Sequence, residues 1–433
     1  MASRFLRTCA PGSMASHRLL KVTGGPTFLF CILLCSLFTP SAGSQFLLKP
    51  AQPGEPLSLM PSDLAILESS DARKDLPCTV TPRKADLGFD LRFHAGYDAT
   101  IPLNALEGDE QLLTVVFRVY AIDNKLRPAY FVQHFRVPHI SEESKGDASL
   151  FGIIDLGEGS YHVDWLMRDR GERVCSSSWD VQAVLAEKDK QINLFIGPNQ
   201  IAETPPEPFV NEPVVHPPGT GRSELNVKLL VNFAPQAANA SSLQRIDTDP
   251  LVSILKAVER DPHIGRLSLV AFNMEESRIV YRQDAADQID FPALGKALET
   301  MKLGTVNLQQ LQQKHGQTDF LQNLIEKEVA NKNRPDAVIF AGPKAMLDAD
   351  VPQDDLRRIG DIECPVFYLN YNLNPQAVPW KDSISHAIRV FKGTEFTISR
   401  PRDLWFSTTE MVSRILRSKR QHAIASALAG GSQ

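Results

Sequence analysis

The sequence predicts an all-β sandwich followed by an α/β part, whose sheet is open and mostly parallel with an antiparallel edge strand. Short strand candidates separated by turn residues fill residues 77–197. Apolar runs rich in β-branched residues alternate with helical patterns over residues 224–419. A proline-dense segment, residues 198–223, lies between them, and this composition is typical of a semi-rigid linker.

The stretch Asn226–Arg282 carries the α/β prediction. Asn226–Phe233 and Arg266–Asn273 are apolar runs, too short for helices and typical of strands buried on both faces. A helical pattern from about Asp249 to Glu259 separates them, so we expect a right-handed crossover and a parallel pair. Met274–Glu276 is a tight link to a third strand, which must run back as an antiparallel hairpin.

Further alternating elements complete this part and predict helices on both faces of its sheet. The tail, residues 420–433, is rich in Ala, Gly and Ser, and we expect it to be disordered. The predicted helices are Phe291–Met301, Leu308–Lys332, Gln353–Gly360, Ser383–Phe391 and Pro401–Ser418, and the predicted strands are Asp336–Phe340, Cys364–Leu369 and Thr394–Ser399.

The β-rich part shows six strand candidates and no convincing helix, which favours an antiparallel sandwich of immunoglobulin-like type. Trp165 alternates with polar neighbours and is expected in its core. Residues 45–76 form an extended lead-in, with at most a short helix around Ser62–Ser69. The strand candidates are Phe89–His94, Leu112–Ile122, Tyr130–Val137, Leu150–Leu156, Ser160–Arg168 and Ser176–Val184.

The first 44 residues have the three parts of a secretory signal: basic residues, an apolar core at Phe28–Phe38 and small residues suited to cleavage near Gly43 or Ser44. The apolar core is short for a membrane span, which needs ~20 residues. An uncleaved anchor helix and a lipid anchor at Cys35 are the alternatives. We therefore expect a secreted or periplasmic protein with no stable membrane span after cleavage.

The net charge of -5 becomes -5 - 4 = -9 without the leader, which holds four basic residues and no acid. No broad basic field is visible, so nucleic acid is not an expected partner. Of the three cysteines outside the leader, Cys78 and Cys175 fall near the two ends of the proposed sandwich. Because an exported chain permits disulfides, we expect these two to pair. Cys364 opens an apolar run and is expected to be a core thiol.

The element order resembles a von Willebrand factor A domain over about Leu225–Lys419, under half of the chain. The strings that carry this resemblance are LLVNF, LSLVAFN, RIVYR, HGQTDFLQNLI and DAVIFAGP. The whole arrangement is also similar to exported bacterial proteins in which a degenerate domain of this class follows a β-rich segment.

The resemblance implies a metal site at the carboxyl ends of the strands, built in the family from an Asp-x-Ser-x-Ser turn, a loop Thr and a strand-end Asp. Hard cations need oxygen ligands with one or two carboxylates. Here Asn232 replaces the first Asp, the strand-end Asp falls on Ala341 or Gly342, and Asp319 is expected to serve a helix N-terminus. We therefore expect a degenerate site that holds no metal or other cofactor. Its positions are Asn232, Ala234, Gln236, Thr318, Asp319 and Gly342.

No motif predicts catalysis. Ser383, Ser385 and His386 are close in sequence, but no Gly-x-Ser-x-Gly elbow precedes them, and on a helix Ser385 and His386 point about 100° apart. Phosphate-binding glycine loops are absent from the sequence. The sequence therefore favours a non-enzymatic binding or scaffold protein of the cell envelope or exterior, whose partner is another protein. The alternatives are a secreted hydrolase with a site hidden from sequence motifs, and a small-ligand sensor.

Overall fold

A computed structural model describes residues 45–49, 58–69, 72–205, 208–212, 225–236, 240–304, 315–329, 335–360, 362, 364–373, 376 and 382–430. Residues 44–433 belong to one compact unit, and the predicted boundary at residues 198–223 falls inside it. The predicted signal peptide and its cleavage point lie outside the described residues.

The predicted fold class is wrong. The chain is mostly β, with three sheets among its described residues, two of them antiparallel and one mixed. The sequence predicted an α/β fold of von Willebrand factor A type, preceded by an immunoglobulin-like sandwich. This prediction gave too much weight to the alternating pattern of residues 224–419. Strands of the first half supply two of the three sheets, and the hairpin at one edge makes the third sheet mixed.

Two antiparallel sheets form the first half. Their strand orders are β1-β5-β4-β7-β8 and β2-β3-β6-β9. The strands are β1 (Gln45–Leu47), β2 (Thr79–Leu87), β3 (Phe93–Pro102), β4 (Gln111–Ala121), β5 (Ala129–Val137), β6 (Asp147–Leu156), β7 (Gly159–Arg168), β8 (Val174–Ala183) and β9 (Ile201–Ala202).

Aromatic side chains fill the core between these sheets. Trp165 is fully buried there, as predicted, and its ring centroid lies 5.3 Å from that of Tyr97. Phe117 stacks on Phe131 with centroids 4.9 Å apart. Helix α1 (Pro61–Ser69) covers the outer face of the larger sheet through the buried Leu67.

Strand β2 was not among the predicted strands, because its residues are mostly exposed and it contains Pro82, so it shows no apolar alternation. The predicted strand Phe89–His94 is wrong over its first half. Leu91 has φ of +61° in the turn that joins β2 to β3, and the strand begins only at Phe93.

A disulfide joins Cys78 to Cys175, the pair expected from the sequence, with Cα atoms 6.3 Å apart. Cys175 is buried at the start of β8, and Cys78 packs against the same core from the residue before β2. The bond therefore ties the edge strands of the two antiparallel sheets.

The mixed sheet has the strand order β12-β11-β10-β13-β14-β15. Strands β11 and β12 pair antiparallel through the hairpin predicted at Met274–Glu276, and the other four pairs are parallel. The strands are β10 (Leu225–Asn232), β11 (Ile264–Asn273), β12 (Arg278–Ala286), β13 (Ala337–Gly342), β14 (Val366–Tyr371) and β15 (Thr394–Ile398).

Helices cover both faces of the mixed sheet. One face packs against α2 (Arg245–Glu259), α3 (Phe291–Leu298) and α7 (Pro401–Gly430), and the other packs against α4 (Gly316–Val329), α5 (Gln353–Arg358) and α6 (Ser383–Val390). Of the predicted helix Leu308–Lys332, residues 308–314 and 330–332 lie outside the described residues.

Among the described residues, two helix boundaries differ from the prediction by four residues or more. Helix α2 begins at Arg245, because Gln244 and Asp247 form a capping box four residues before the expected start. Helix α7 continues to Gly430, so the disorder expected from residue 420 is wrong over 420–430. Alanine and long polar side chains in this stretch propagate a helix well. No helix of the described chain is both long and apolar enough to cross a bilayer.

Candidate functional site

Two of the predicted site positions lie together at the carboxyl ends of parallel strands. Asn232 ends β10 and Gly342 ends β13, and a Cβ atom on Gly342 would lie 2.8 Å from the Cβ of Asn232. The Asn232 side chain is buried, and its Oδ1 accepts a hydrogen bond of 3.1 Å from the Met274 backbone N–H. Its amide oxygen is therefore already used to hold the β11–β12 hairpin.

The other predicted positions have separate contacts. The Thr318 hydroxyl donates to the Ala349 carbonyl at 2.7 Å, and Asp319 is exposed on the first turn of α4. Ala234 is buried and offers no side-chain oxygen, whereas Gln236 is exposed. These contacts do not gather Thr318 and Asp319 around Asn232 as ligands.

Seven charged side chains meet at a second place, which sequence analysis did not single out. We call this group the charged junction, since it links the antiparallel sheets to α2 and to the proline-dense segment. It comprises Asp90, Arg92, His94, Asp155, Glu212, Lys256 and Arg260.

Glu212 lies at the centre of the charged junction and is largely buried. Its carboxylate accepts hydrogen bonds from Arg260 Nε at 2.7 Å and Nη2 at 2.6 Å. Arg92 Nη2 lies 3.5 Å from the same carboxylate, and Lys256 Nζ lies 3.6 Å from it. Burial alone would raise the pKa of Glu212, but the hydrogen bonds from Arg260 and the neighbouring cations lower it. The side chain is therefore held as a carboxylate.

Both arginines of the charged junction lie over one aromatic ring. The Cζ atom of Arg92 is 4.4 Å from the centroid of Phe195, and that of Arg260 is 4.0 Å from it. Guanidinium groups bind aromatic faces at such distances, most strongly when water is excluded. Arg260 Nη1 also donates to the Asp90 carbonyl at 3.3 Å. The end of α2 is thus fixed to the β2–β3 turn.

His94 lies between two carboxylates. Its Nδ1 is 2.8 Å from Asp155 Oδ1 and its Nε2 is 3.0 Å from Asp90 Oδ1. Burial opposes the charged ring, yet the hydrogen bonds to Asp155 and Asp90 outweigh it and raise the pKa of His94 to about 10. Asp155 also accepts hydrogen bonds from Arg92 and Thr204, and its pKa is lowered despite burial. The imidazolium is therefore the stable form at neutral pH.

Asp90, His94 and Asp155 also have the residue types of a metal site, with their ligand atoms within 4.8 Å of one another. The arrangement fits an imidazolium better than a dication. A metal ligand must be a neutral imidazole with a free nitrogen, and both nitrogens of His94 already face carboxylates. Arg92, 3.0 Å from Asp155, would add repulsion. The same lack of a free nitrogen makes His94 a poor general base.

The serines near His386 do not form a nucleophile–base pair. Ser383 Oγ donates to Asp350 Oδ1 at 2.8 Å, and Ser385 Oγ donates to Glu395. His386 Nδ1 lies 4.0 Å from Asp350. Both serine side chains are buried. Carboxylates, rather than His386, accept the hydrogen bonds of these two hydroxyls.

No protein-family model and no curated protein matches the chain. Among solved structures, a superoxide reductase (neelaredoxin) from Ignicoccus hospitalis aligns with 12% identity and a TM-score of 0.16, over 27% of this chain and 85% of that one. A glycosyl hydrolase family 2 member from Bacteroides cellulosilyticus aligns with 11% identity and a TM-score of 0.18, over 77% and 49%. Scores this far below 0.5 do not establish a shared fold.

Proposed function

We propose that this chain is an exported, non-enzymatic binding or scaffold protein that holds another protein of the cell envelope or exterior. The observation that carries the proposal is the charged junction. Three cations share the largely buried carboxylate of Glu212, and two of them lie over the ring of Phe195. Such a network keeps the antiparallel sheets and the mixed sheet in one fixed arrangement, as a scaffold requires.

The binding surface is assigned to the edge of the mixed sheet where β10 and β13 end. Two large apolar side chains lie exposed in the segments that follow these strands. Ile246, in the first turn of α2, is 59% exposed, and Met346, after β13, is 62% exposed. Gln236 is also exposed here, and its backbone N–H donates to Asp247 at 3.0 Å. Exposed apolar side chains beside polar ones are typical of protein interfaces.

The experiment that tests this proposal is a titration. The full chain is used to capture a partner from the native envelope fraction, and the purified partner is then titrated against wild type and Ile246→Asp/Met346→Asp. We expect saturable binding that the double variant weakens about tenfold or more. The matched control is Leu126→Asp, because Leu126 is 94% exposed but lies in the β4–β5 connection.

Two results would contradict the proposal. The first is a folded wild-type protein that captures no saturable partner. The second is hydrolysis by the purified protein of an ester, glycoside or peptide substrate, which would favour the rival enzyme hypothesis. If Leu126→Asp weakened binding equally, the binding surface would not lie at this edge of the mixed sheet.

A further inference from the structure

A polar cavity of about 590 Å³ lies at the opposite end of the mixed sheet from the proposed binding surface. Its walls come from the amino-terminal halves of β10 and β11 and the later part of β12. This volume is in the range of small-molecule sites. Neither the charged junction nor the proposed protein partner uses this cavity.

Three cationic side chains line it: Lys228, Arg266 and Arg282. Lys228 is buried, and its Nζ donates to the backbone carbonyl and the Oε2 atom of Glu328, both at 3.1 Å. Arg282 Nη1 donates to the same Oε2 atom at 3.3 Å, and its Nη2 donates to Oε1. One carboxylate thus neutralises one of two cations, and each cation keeps further N–H donors.

Arg266 adds a third positive charge. It is exposed on β11, and no ion pair joins it to another residue of the described ranges. With Asp284 also in the wall, three cations face the two carboxylates of Glu328 and Asp284, so the local charge is 3 - 2 = +1. The exposed guanidinium of Arg266, which lines the cavity and has no ion pair within the described ranges, favours an anion.

Asn226 adds a different requirement. Its side-chain oxygen is buried and accepts no hydrogen bond from the part of the chain that the structure describes. A buried acceptor without a donor costs free energy, which a ligand hydroxyl or amine would recover once the Asn226 side chain rotates to bring this oxygen into the cavity. The wall therefore combines cationic donors for an acid group with an amide whose rotation supplies an acceptor for a neutral donor.

We infer that this cavity binds a small hydroxylated carboxylate, whose acid group pairs with Arg266 and its cationic neighbours and whose hydroxyl donates to the rotated Asn226 side chain. The inference goes beyond protein binding and does not depend on it. D-gluconate is a suitable probe, because it carries one carboxylate and several hydroxyls. Sorbitol keeps hydroxyls without the charge, and propionate keeps the charge without hydroxyls.

The test is calorimetric titration of the full chain with each probe. We expect gluconate to bind saturably, and sorbitol and propionate to bind at least about tenfold more weakly. Arg266→Gln should weaken gluconate binding about tenfold or more. The matched control is Arg136→Gln, which removes an exposed strand arginine from β5 and should leave gluconate binding unchanged.

Because Arg266 is exposed, its substitution should leave the fold intact, which circular dichroism checks. Asn226→Leu provides a second variant, which removes the acceptor and should bring gluconate binding down to the level of propionate. Absence of saturation by gluconate, equal binding by sorbitol, or unchanged affinity in folded Arg266→Gln would each overturn the inference.

Discussion

The carboxylate of Glu212 and the guanidinium of Arg260 form a two-pronged ion pair, with distances of 2.7 Å and 2.6 Å. Glu212 belongs to the segment that composition predicts as a semi-rigid spacer, and Arg260 follows the last turn of α2. Phe209 and Asn211 of the same segment also contact α3, through Gly295 and the Phe291 N–H. Residues 208–212 are therefore anchored along the mixed-sheet half.

Glu212→Ala should destabilise the whole chain. The substitution leaves Arg92, Lys256 and Arg260 close together without their shared counterion, and breaking one partner of a buried pair costs about 3–5 kcal/mol. Urea unfolding measures the loss. Glu187→Ala is the control, since Glu187 is exposed and its ion pair is with exposed Lys190; its effect should stay within about 0.5 kcal/mol. Similar losses in both variants would contradict a central role for Glu212.

His94 should make stability fall at alkaline pH. Hydrogen bonds to Asp155 and Asp90 outweigh burial and raise the pKa of His94 to about 10, from an ordinary value of 6.5. A raised histidine pKa stabilises the folded state fully below pH 6.5, and this contribution is lost as pH rises through about 10. The free energy of unfolding of wild type and His94→Gln, measured from pH 6.5 to 10, should converge. Parallel curves would show that His94 does not titrate as described.

Gly342→Ala should lower the free energy of unfolding by more than a glycine substitution that strains the backbone alone. Gly342 has φ of +149°, and a Cβ atom there would lie 2.8 Å from the Cβ of Asn232. Gly360 has φ of +88° with no atom within 4 Å, so Gly360→Ala isolates the backbone term, about 1–3 kcal/mol. We expect Gly342→Ala to lose about 1–3 kcal/mol more, from the added clash. Equal urea midpoints would show that Asn232 moves aside freely.

Removal of the disulfide should lower stability by about 4–5 kcal/mol in the chain-entropy model. Cys78 and Cys175 are 97 residues apart, so the bond closes a long loop in the unfolded chain. Cys78→Ser/Cys175→Ser and reduced wild type should unfold at the same urea concentration, below that of oxidised wild type. Different urea midpoints for the double variant and reduced wild type would point to an effect of the serines themselves.

Local patterns predicted much of the fold, because they depend on neighbouring residues. The runs around Val231 and Val270 are strands, the Met274–Glu276 link is a hairpin, and Trp165 lies in the core. The class prediction failed because it rested on the alternating half of the chain. Strand β2 could not be predicted, because a mostly exposed strand has no apolar alternation in its sequence.

The charged junction could not be predicted in the same way. Arg92, Glu212 and Arg260 are each separated by about fifty residues or more along the chain, and nothing in the local sequence marks them as neighbours. The sequence holds one indirect signal for this group. Glu212 is an acid within a proline-dense segment, and composition alone predicts that such a segment is exposed to solvent. Only the packing of the antiparallel sheets beside α2 brings these side chains together.

The ring of Phe195 contacts guanidinium groups of two residues that lie on opposite sides of the proline-dense segment in the sequence. If the polypeptide were cut after Glu212 and its two pieces expressed alone, each piece would expose a surface shaped for the other. The piece with Phe195 would present a bare aromatic face, and the piece with Arg260 would present uncompensated positive charge. The two pieces should therefore behave poorly apart and recover by complementation when mixed.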